Sequence, residues 1–478
     1  MTFLPLAHAL AARQDLPIPA WLFAWGASIV LIVSFFALSA AWRKPKFEDE
    51  NWRPFGPGVS RLLLGLPAQA LCGALGVFLL GVVVYAGLRG TEAPDRNFAI
   101  TFVFVTVWLG IPALSVAFGN VFKPFNPWRA IGRAVGGGFA AIAGQRPAHL
   151  AYPEGLGRWP AAIGLLAFIW LEVIYSASGG VSVGVSPHTT AVAALLYSGY
   201  TLAMMAVFGT EKWCERGEIF SVYFGMFSRL GSFGTSDGRL GRRRPLSAAT
   251  SWATIPGSAA VVIASIATTS FDGAQEGAFK GAIEAVFDWL VDSGLSLTMA
   301  LRLTDTLFLL LCFGGVWLIY LIGVRGMETV RGAPSFSKLR SGFAHTLIPI
   351  AFAYLLAHYF SLVVFQEQAQ FTYLLSDPLG TATTDLFGTA SGGIDLGLFQ
   401  IGTDDGGIDY GVLSANAIWY VQVAALVVGH VLGLTLAHDR AVAYWGDYRQ
   451  AARSQYWMLA VMIAFTCFGL YLLSVANS

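Results

Sequence analysis

Ten long apolar segments constrain the fold of this chain more than any other feature of its sequence. Crossing the hydrocarbon core of a bilayer takes roughly 20 apolar residues in a helix. We therefore predict an all-α integral membrane protein, with one polytopic domain over residues 1–478. The predicted spans are residues 19–42, 66–90, 98–122, 159–178, 187–209, 251–271, 301–324, 342–366, 414–438 and 454–476.

The basic residues predict the orientation of these spans. Lys and Arg concentrate in the loops that follow the first, third, fifth, seventh and ninth spans, and only five of the 29 lie elsewhere: Arg13, Arg89, Arg96, Lys280 and Arg302. Positive charge near the ends of spans stays on the cytoplasmic side. Both termini are therefore predicted to lie outside the cytoplasm.

Composition narrows the partners of the chain. The sequence is 56% hydrophobic and 12% charged, with a net charge of +1, which favours the lipid bilayer as partner and gives no indication of nucleic-acid binding. The four cysteines form no paired motif, so neither a disulfide framework nor a zinc site is expected. Abundant Ala, Gly and Arg suggest a bacterial protein of the plasma membrane.

Three segments outside the spans have distinctive patterns. Residues 211–233 mix aromatic and charged side chains and predict an interfacial amphipathic helix on the cytoplasmic face. Residues 277–292 place apolar side chains on one face of a helix and charged side chains on the other, which predicts an external amphipathic helix. Residues 367–413 are rich in Gly, Asp and Thr and predict a long external loop, which is either functional or mobile.

Polar side chains within the spans are candidate functional residues, because burying an ionisable group in a membrane is costly. With a rise of about 1.5 Å per residue, five of them fall in the outer half of their spans, and His430 falls slightly inward. The five are Glu172, Asp305, His358, Tyr420 and Gln422. Gly429 and Gly433 flank His430 and predict a close helix crossing there.

Three kinds of chemistry can use these residues. Carboxylate and imidazole groups can bind a divalent metal ion that activates a water molecule. The same groups can relay protons in a transporter. A haem between His358 and His430 is the least favoured alternative, because neither span carries two histidines on one face at haem spacing. The chain has no HExxH or Walker A motif that would select one chemistry.

Several sequence strings carry a family resemblance. They are Leu16 to Trp21, Ala344 to Pro349, Ala357 to Ser361, Gly429 to Gly433 and Ala437 to Arg440. These strings are similar to those of multi-pass actinobacterial membrane proteins labelled fenitrothion (organophosphate) hydrolase, and the resemblance covers most of the chain. It implies metal-assisted hydrolysis of a phosphotriester, a small-molecule substrate.

The leading hypothesis is therefore a membrane-embedded, metal-dependent hydrolase with an externally accessible site. In this hypothesis Glu172 and His358 are catalytic and also bind the metal, together with His430 and Asp305, while Gln422 and Tyr420 orient ligands. A secondary transporter that uses the same Glu and His residues is the main alternative. A cofactor-binding subunit of a larger complex is the second.

Overall fold

The computed structural model describes residues 20–178, 181–182, 184–275, 279–386, 388, 394–395, 400–403 and 407–476. The first residue of the predicted span 19–42, residues 277–278 of the predicted external helix and parts of the predicted loop 367–413 lie outside these residues. The chain is mostly helical. The strands are β1 (Arg53–Pro54), β2 (Ala177–Ser178), β3 (Val181–Ser182), β4 (Phe233–Ser236), β5 (Arg239–Arg242), β6 (Ile394–Asp395) and β7 (Gln400–Ile401).

The helices of the first half are α1 (Ala20–Ala41), α2 (Pro57–Leu64), α3 (Leu66–Arg89), α4 (Phe98–Phe118), α5 (Phe122–Phe125), α6 (Pro127–Ala143), α7 (Trp159–Tyr175), α8 (Pro187–Phe208), α9 (Thr210–Arg216) and α10 (Ile219–Leu230). Those of the second half are α11 (Ser258–Gln275), α12 (Lys280–Asp292), α13 (Leu297–Glu328), α14 (Phe336–Phe343), α15 (Ile348–Ala369), α16 (Ala415–Trp445), α17 (Tyr448–Ser454) and α18 (Tyr456–Ala476). Shorter 3-10 turns cover Pro94–Arg96, Ser247–Thr254 and Ala344–Leu347, and a π-helical turn, Gln370–Leu374, follows α15.

Each of the ten predicted spans falls on a helix. Within the described residues, seven helical stretches are long and apolar enough to cross a membrane, and α17 with α18 forms an eighth if their 41° bend lies within one span. The predicted spans 159–178 and 251–271 fall on the two exceptions. Helix α7 is too short, and α11 has 18 residues but carries Ser, Thr and Asp side chains. An all-α membrane protein is confirmed, and the count of ten spans stays a prediction.

Helix α11 lies in the middle of the bundle. Every residue from Ala260 to Phe271 is buried, and α7, α13, α15 and α18 pack around it. Its polar side chains are short and can bond within the helix, as Thr268 and Thr269 donate to the Ser265 carbonyl at 3.1 and 3.2 Å. Small side chains permit close packing on all sides, and this helix forms one wall of the site described below.

Helices α15 and α16 approach each other closely at the two glycines beside His430. A Cβ atom on Gly429 would lie 2.2 Å from the Ala353 Cβ, and one on Gly433 would lie 2.9 Å from the Thr346 carbonyl oxygen. Only hydrogen fits at these distances, so the predicted close crossing is confirmed. The crossing fixes the position of α15, which carries His358.

Loops that are predicted to share one side of the membrane contact each other. Asp439 accepts hydrogen bonds from the Trp42 indole at 2.7 Å and the Lys46 amide at 2.6 Å, all three on the predicted cytoplasmic side. On the predicted outer side, the Thr91 amide donates to the Leu379 carbonyl at 2.8 Å. The pairing of loops thus agrees with the charge pattern, and the identity of the cytoplasmic side stays a prediction.

The predicted interfacial helix 211–233 has a different structure. The segment forms α9 and α10, and in α10 both faces are buried rather than one. Its aromatic side chains belong to the core: the Tyr223 ring stacks on Trp108 with centroids 4.7 Å apart, and Phe224 and Phe227 are fully buried. The charged residues that suggested an exposed face lie on α9, ahead of α10, so the amphipathic pattern joined two separate helices.

The other two segments follow the prediction more closely. Residues 280–292 form α12, in which Ile283 is buried and Trp289 is exposed, and which packs along α13. The beginning of the predicted loop 367–413 is helical, because α15 extends to Ala369 and its π-helical turn to Leu374. The described residues beyond this turn are mainly irregular, with β6 and β7 paired as a short antiparallel ribbon.

Candidate functional site

Asp272 lies at the centre of a polar cluster inside the bundle. Its Oδ2 atom accepts a hydrogen bond from the Tyr359 hydroxyl at 2.8 Å and lies 2.9 Å from the His358 Nε2 atom. The side chains of His358 and Asp272 are only 17% and 15% exposed. A carboxylate that contacts an imidazole and a phenol in such surroundings can exchange a proton with them.

Neighbouring residues of α11 hold this arrangement in place. Gln275, one turn after Asp272, donates to its Oδ1 atom at 3.1 Å. Gly273 lies against the His358 ring, where an added Cβ would be 3.5 Å from the Cε1 atom. Both carboxylate oxygens of Asp272 are therefore engaged, and the imidazole ring is fixed between α11 and α15.

Glu172 is the second carboxylate of the cluster. It lies in the last part of α7, where residues Trp170–Tyr175 are π-helical, a geometry that often occurs at functional sites. Its electrostatic neighbours are Asp272 and Tyr359. Its Oε2 atom is buried and has no hydrogen-bond partner among the described residues, so it requires a proton, water or ion. We call Glu172, Asp272, His358 and Tyr359 the Asp272 cluster.

A small cavity adjoins the Asp272 cluster. It has a volume of about 30 Å³ and is lined by Thr269, Ser270, Tyr354 and His358, among others. The Ser270 hydroxyl is buried without a hydrogen-bond partner in the described structure. A water molecule needs about 10–15 Å³ of such space, so the cavity has room for one or two water molecules that contact both Ser270 and His358.

His430 lies apart from the Asp272 cluster. Its Nδ1 atom is 2.7 Å from the Leu426 carbonyl of its own helix, and its Nε2 atom is buried with no partner among the described residues. The ring lines a second cavity of about 30 Å³, which is otherwise almost entirely apolar. Tyr354 links the two places, because it lines the first cavity and its ring centroid is 6.0 Å from that of His430.

Of the remaining predicted site residues, two are buried and one is largely exposed. Asp305 on α13 and Gln422 on α16 are both buried. Arg302, which precedes Asp305 by one turn, donates to the Tyr175 carbonyl instead of pairing with Asp305. Tyr420 is 49% exposed and therefore lies on a different face of α16 from the buried Gln422.

The predicted metal ligands do not form one set. Among the described residues, no three His, Cys, Asp or Glu side chains come together as the ligands of a metal ion. The His358 Nε2 atom is occupied by Asp272, and the His430 Nδ1 atom by its own helix. The described residues supply no ligand set for the predicted metal ion, which stays a prediction.

Two other buried carboxylates have fully structural surroundings. Glu218 is 0% exposed and caps α10, where its oxygens accept from the Tyr197 hydroxyl at 2.6 Å, the Asn126 amide at 3.0 Å and two backbone amides. Asp439 accepts from Trp42, Lys46 and the Phe47 amide. In both residues, donors from the protein form hydrogen bonds to the carboxylate oxygens, which distinguishes these residues from Glu172.

Asp272 is the residue that the sequence-based prediction missed. It lies one residue beyond the predicted span 251–271 and therefore was not among the intramembrane groups. One signal was present, since a run of Thr, Ser and Asp at 268–272 interrupts an otherwise apolar segment. Tyr359 was not among the predicted site residues, yet its hydroxyl donates a hydrogen bond to Asp272.

Comparisons with known proteins assign no family to the chain. No protein-family model, no curated protein and no solved structure matches the chain. The resemblance to the organophosphate hydrolases thus stays a prediction, and the function rests on the site itself.

Proposed function

We propose that the protein is a secondary transporter of the bacterial plasma membrane that couples solute movement to protons at the Asp272 cluster. One observation carries the proposal: Asp272 binds His358 and Tyr359 beside the unpartnered carboxylate oxygen of Glu172. Ionisable groups that face the interior of a membrane bundle mark ion and proton pathways. Both termini are proposed to lie outside the cytoplasm.

The two carboxylates have different parts in this proposal. Neighbouring carboxylates in an apolar interior resist carrying two charges, because desolvation and mutual repulsion oppose the second ionisation. Asp272 receives hydrogen bonds from Tyr359 and Gln275 and is the member that keeps its charge. Glu172 has no donor on its Oε2 atom and is the member that takes up the proton. His358 then balances the charge of Asp272 when it is protonated.

Further buried polar atoms near the Asp272 cluster have no hydrogen-bond partner among the described residues. They are the Ser270 hydroxyl and the His430 Nε2 atom. Such atoms commonly contact internal water. The two cavities beside His358 and His430 can each hold one or two water molecules, and these would connect the cluster to the predicted cytoplasmic half.

The size of the cavities favours a transporter over an open hydrolase site. A small-molecule site usually encloses about 300–1,000 Å³, and the cavities at the two histidines have about 30 Å³ each. A transporter closes around its site between cycles. This conformation is therefore best described as closed, with the solute path shut on both sides of the Asp272 cluster.

A hydrolase is the second candidate, and the Asp272–His358 pair favours it. A carboxylate that orients an imidazole is the arrangement of a general base. With the metal that the sequence predicts, purified protein would contain about one equivalent of a divalent ion by elemental analysis. Loss of that ion in His358→Ala would support the hydrolase, and a metal-free wild-type protein would contradict it.

A pH-jump experiment tests the transporter. Protein in liposomes on a solid-supported membrane should give a transient current when the external pH changes, because protons bind within the membrane. We expect Glu172→Gln, Asp272→Asn and His358→Gln each to reduce the transferred charge at least about tenfold, because Glu172 is the proposed proton acceptor and the other two set the charge beside it.

Asp305→Asn is the matched control, because Asp305 is a buried carboxylate on α13 and none of the described hydrogen bonds of Asp272 involves it. The control should keep the wild-type current, and size-exclusion profiles should show that all variants fold. An unchanged current in Asp272→Asn, or an equal loss in the control, would contradict the proposal.

A further inference from the structure

Arg158 is a buried arginine at the predicted cytoplasmic end of α7. It is only 4% exposed. Its Nη1 atom donates to the Trp252 carbonyl and to the Ser258 hydroxyl, both at 2.8 Å. Its guanidinium lies 3.5 Å from the centroid of the Trp252 ring, the distance of a close cation–π contact. The Nη1 atom of Arg158 thus donates to neutral groups, and its positive charge is not paired with an acid there.

The positive charges around Arg158 exceed the negative ones. Nearby, Arg216 pairs with Glu154 at 2.7 Å, and Lys212 pairs with Glu215 at 3.3 Å. Within the part of the chain that the structure describes, neither Arg158 nor Arg229 has a carboxylate within 4.0 Å. Two guanidinium charges therefore remain without a paired acid.

Arg229 lies beside the same tryptophan. Its guanidinium is 5.7 Å from the Trp252 ring centroid, and its Nη1 atom donates to the Ala248 carbonyl at 3.1 Å and the Ser251 hydroxyl at 2.7 Å. Ser251 is exposed, whereas Arg229 itself is half-buried. Glu50 and Glu215 are the acids whose charges act on Arg229, and Glu215 also acts on Arg158; Glu50 pairs with Arg243 at 3.6 Å and Glu215 with Lys212.

Helix ends add to the positive potential. Arg158 immediately precedes α7, and Ser258, which it contacts, is the first residue of α11. The amino-terminal end of a helix carries partial positive charge, which opposes a buried cation. Burial and the neighbouring charge of Arg229 accordingly lower the pKa of Arg158 to about 9.

Two buried donors in this region lack an acceptor. The Arg216 Nε and Trp252 Nε1 atoms have no hydrogen-bond partner in the described structure, and both residues are more than nine-tenths buried. A set of arginines, an indole donor and two helix amino termini has one chemical complement, an anion that accepts several hydrogen bonds.

We propose that Arg158, Arg216, Arg229 and Trp252 form a site for a phosphate-bearing anion, which we call the Arg158 site. Arginine suits phosphate because its planar guanidinium donates in pairs. The site lies at the end of α7 and α11 where basic loops concentrate, so both a lipid headgroup and a free phosphate reach it. The bound anion neutralises the charge of Arg158 and Arg229.

Thermal unfolding of the full chain tests the site with two probes. Inorganic phosphate is titrated into protein in a neutral detergent, and separate samples are reconstituted with phosphatidylglycerol or phosphatidylcholine. At least one anionic probe should raise the unfolding temperature relative to its neutral reference. Arg229→Gln should raise the concentration of the probe that is needed for the same stabilisation at least about tenfold, because one charge-assisted contact is lost.

Arg331→Gln is the matched control, since Arg331 is exposed on the same predicted side. Stabilisation by phosphate alone identifies a free anion as the ligand, and stabilisation by phosphatidylglycerol alone identifies a lipid headgroup. The proposal is overturned if neither probe stabilises the protein, or if Arg331→Gln and Arg229→Gln lose the effect equally. Arg158→Lys, which keeps the buried charge, provides a second variant if Arg229→Gln fails to fold.

Discussion

Glu218 and Glu172 show how differently two glutamates can be buried in one protein. Glu218 accepts hydrogen bonds from Tyr197, Asn126 and two amides. The Glu172 Oε2 atom accepts none within the described residues. A carboxylate filled by donors stabilises the fold, whereas an unfilled one is retained at a cost and indicates a functional role.

This contrast gives a prediction for a matched pair of variants. Glu218→Gln places an NH₂ group against donors and should lower the free energy of unfolding by about 1–3 kcal/mol. Glu172→Gln removes a costly acid and should change it by less than about 1 kcal/mol. Chemical unfolding in detergent measures both. A larger loss in Glu172→Gln than in Glu218→Gln would mean that Glu172 has a structural role.

At this scale the sequence identified part of the site. Glu172 and His358 are recognisable because a charge or an imidazole inside an apolar segment is costly wherever it lies. Asp272 is not recognisable in the sequence. Its depth in the membrane depends on how far α11 extends, and its partners depend on which helices pack beside α11. His430 illustrates the same gap, since its place in a neighbouring span did not show that its ring bonds to its own helix instead of joining His358.

Glycines on helices divide into those that permit contact and those that face open space. A Cβ on Gly429 would lie 2.2 Å from that of Ala353, whereas one on Gly315 of α13 meets nothing within 4 Å. Gly429→Ala should therefore destabilise the protein by about 1–3 kcal/mol through overpacking. Gly315→Ala should be neutral or stabilising by up to about 1 kcal/mol.

Thermal unfolding of the two variants checks this prediction. It is contradicted if Gly429→Ala unfolds at the wild-type temperature, which would mean that α15 and α16 can separate without cost. The pH-jump current is a second measurement. It should fall in Gly429→Ala if the crossing of α15 and α16 also positions His358.

Elements with a clear pattern were predictable, and mixed ones were not. Long apolar runs predicted helices at every position, because no other structure satisfies the backbone in lipid. The prediction for segment 211–233 did not match the structure, because Tyr223, Phe224 and Phe227 lie on different faces of α10 and all of these faces are buried. A short helix that is apolar on every side looks the same in sequence whether it lies in the core or on the surface.

For the whole molecule, the charge pattern makes one prediction that cysteine labelling tests. In a variant without the native Cys72, Cys214, Cys312 and Cys467, an impermeant maleimide added to intact cells should label Asp95→Cys. It should not label Ser236→Cys until the membrane is permeabilised, although both positions are exposed. The reverse labelling would invert the proposed orientation, and equal labelling would contradict the separation of the two sides.

The burial of α11 has a consequence for how the protein is made. An 18-residue helix with Ser, Thr and Asp gains little by entering lipid alone. Its contacts come from α7, which is already synthesised, and from α13, α15 and α18, which the ribosome synthesises later. We therefore expect α11 to settle only after those later helices arrive, so the segment bearing Asp272 matures late and is exposed to quality-control proteases before then.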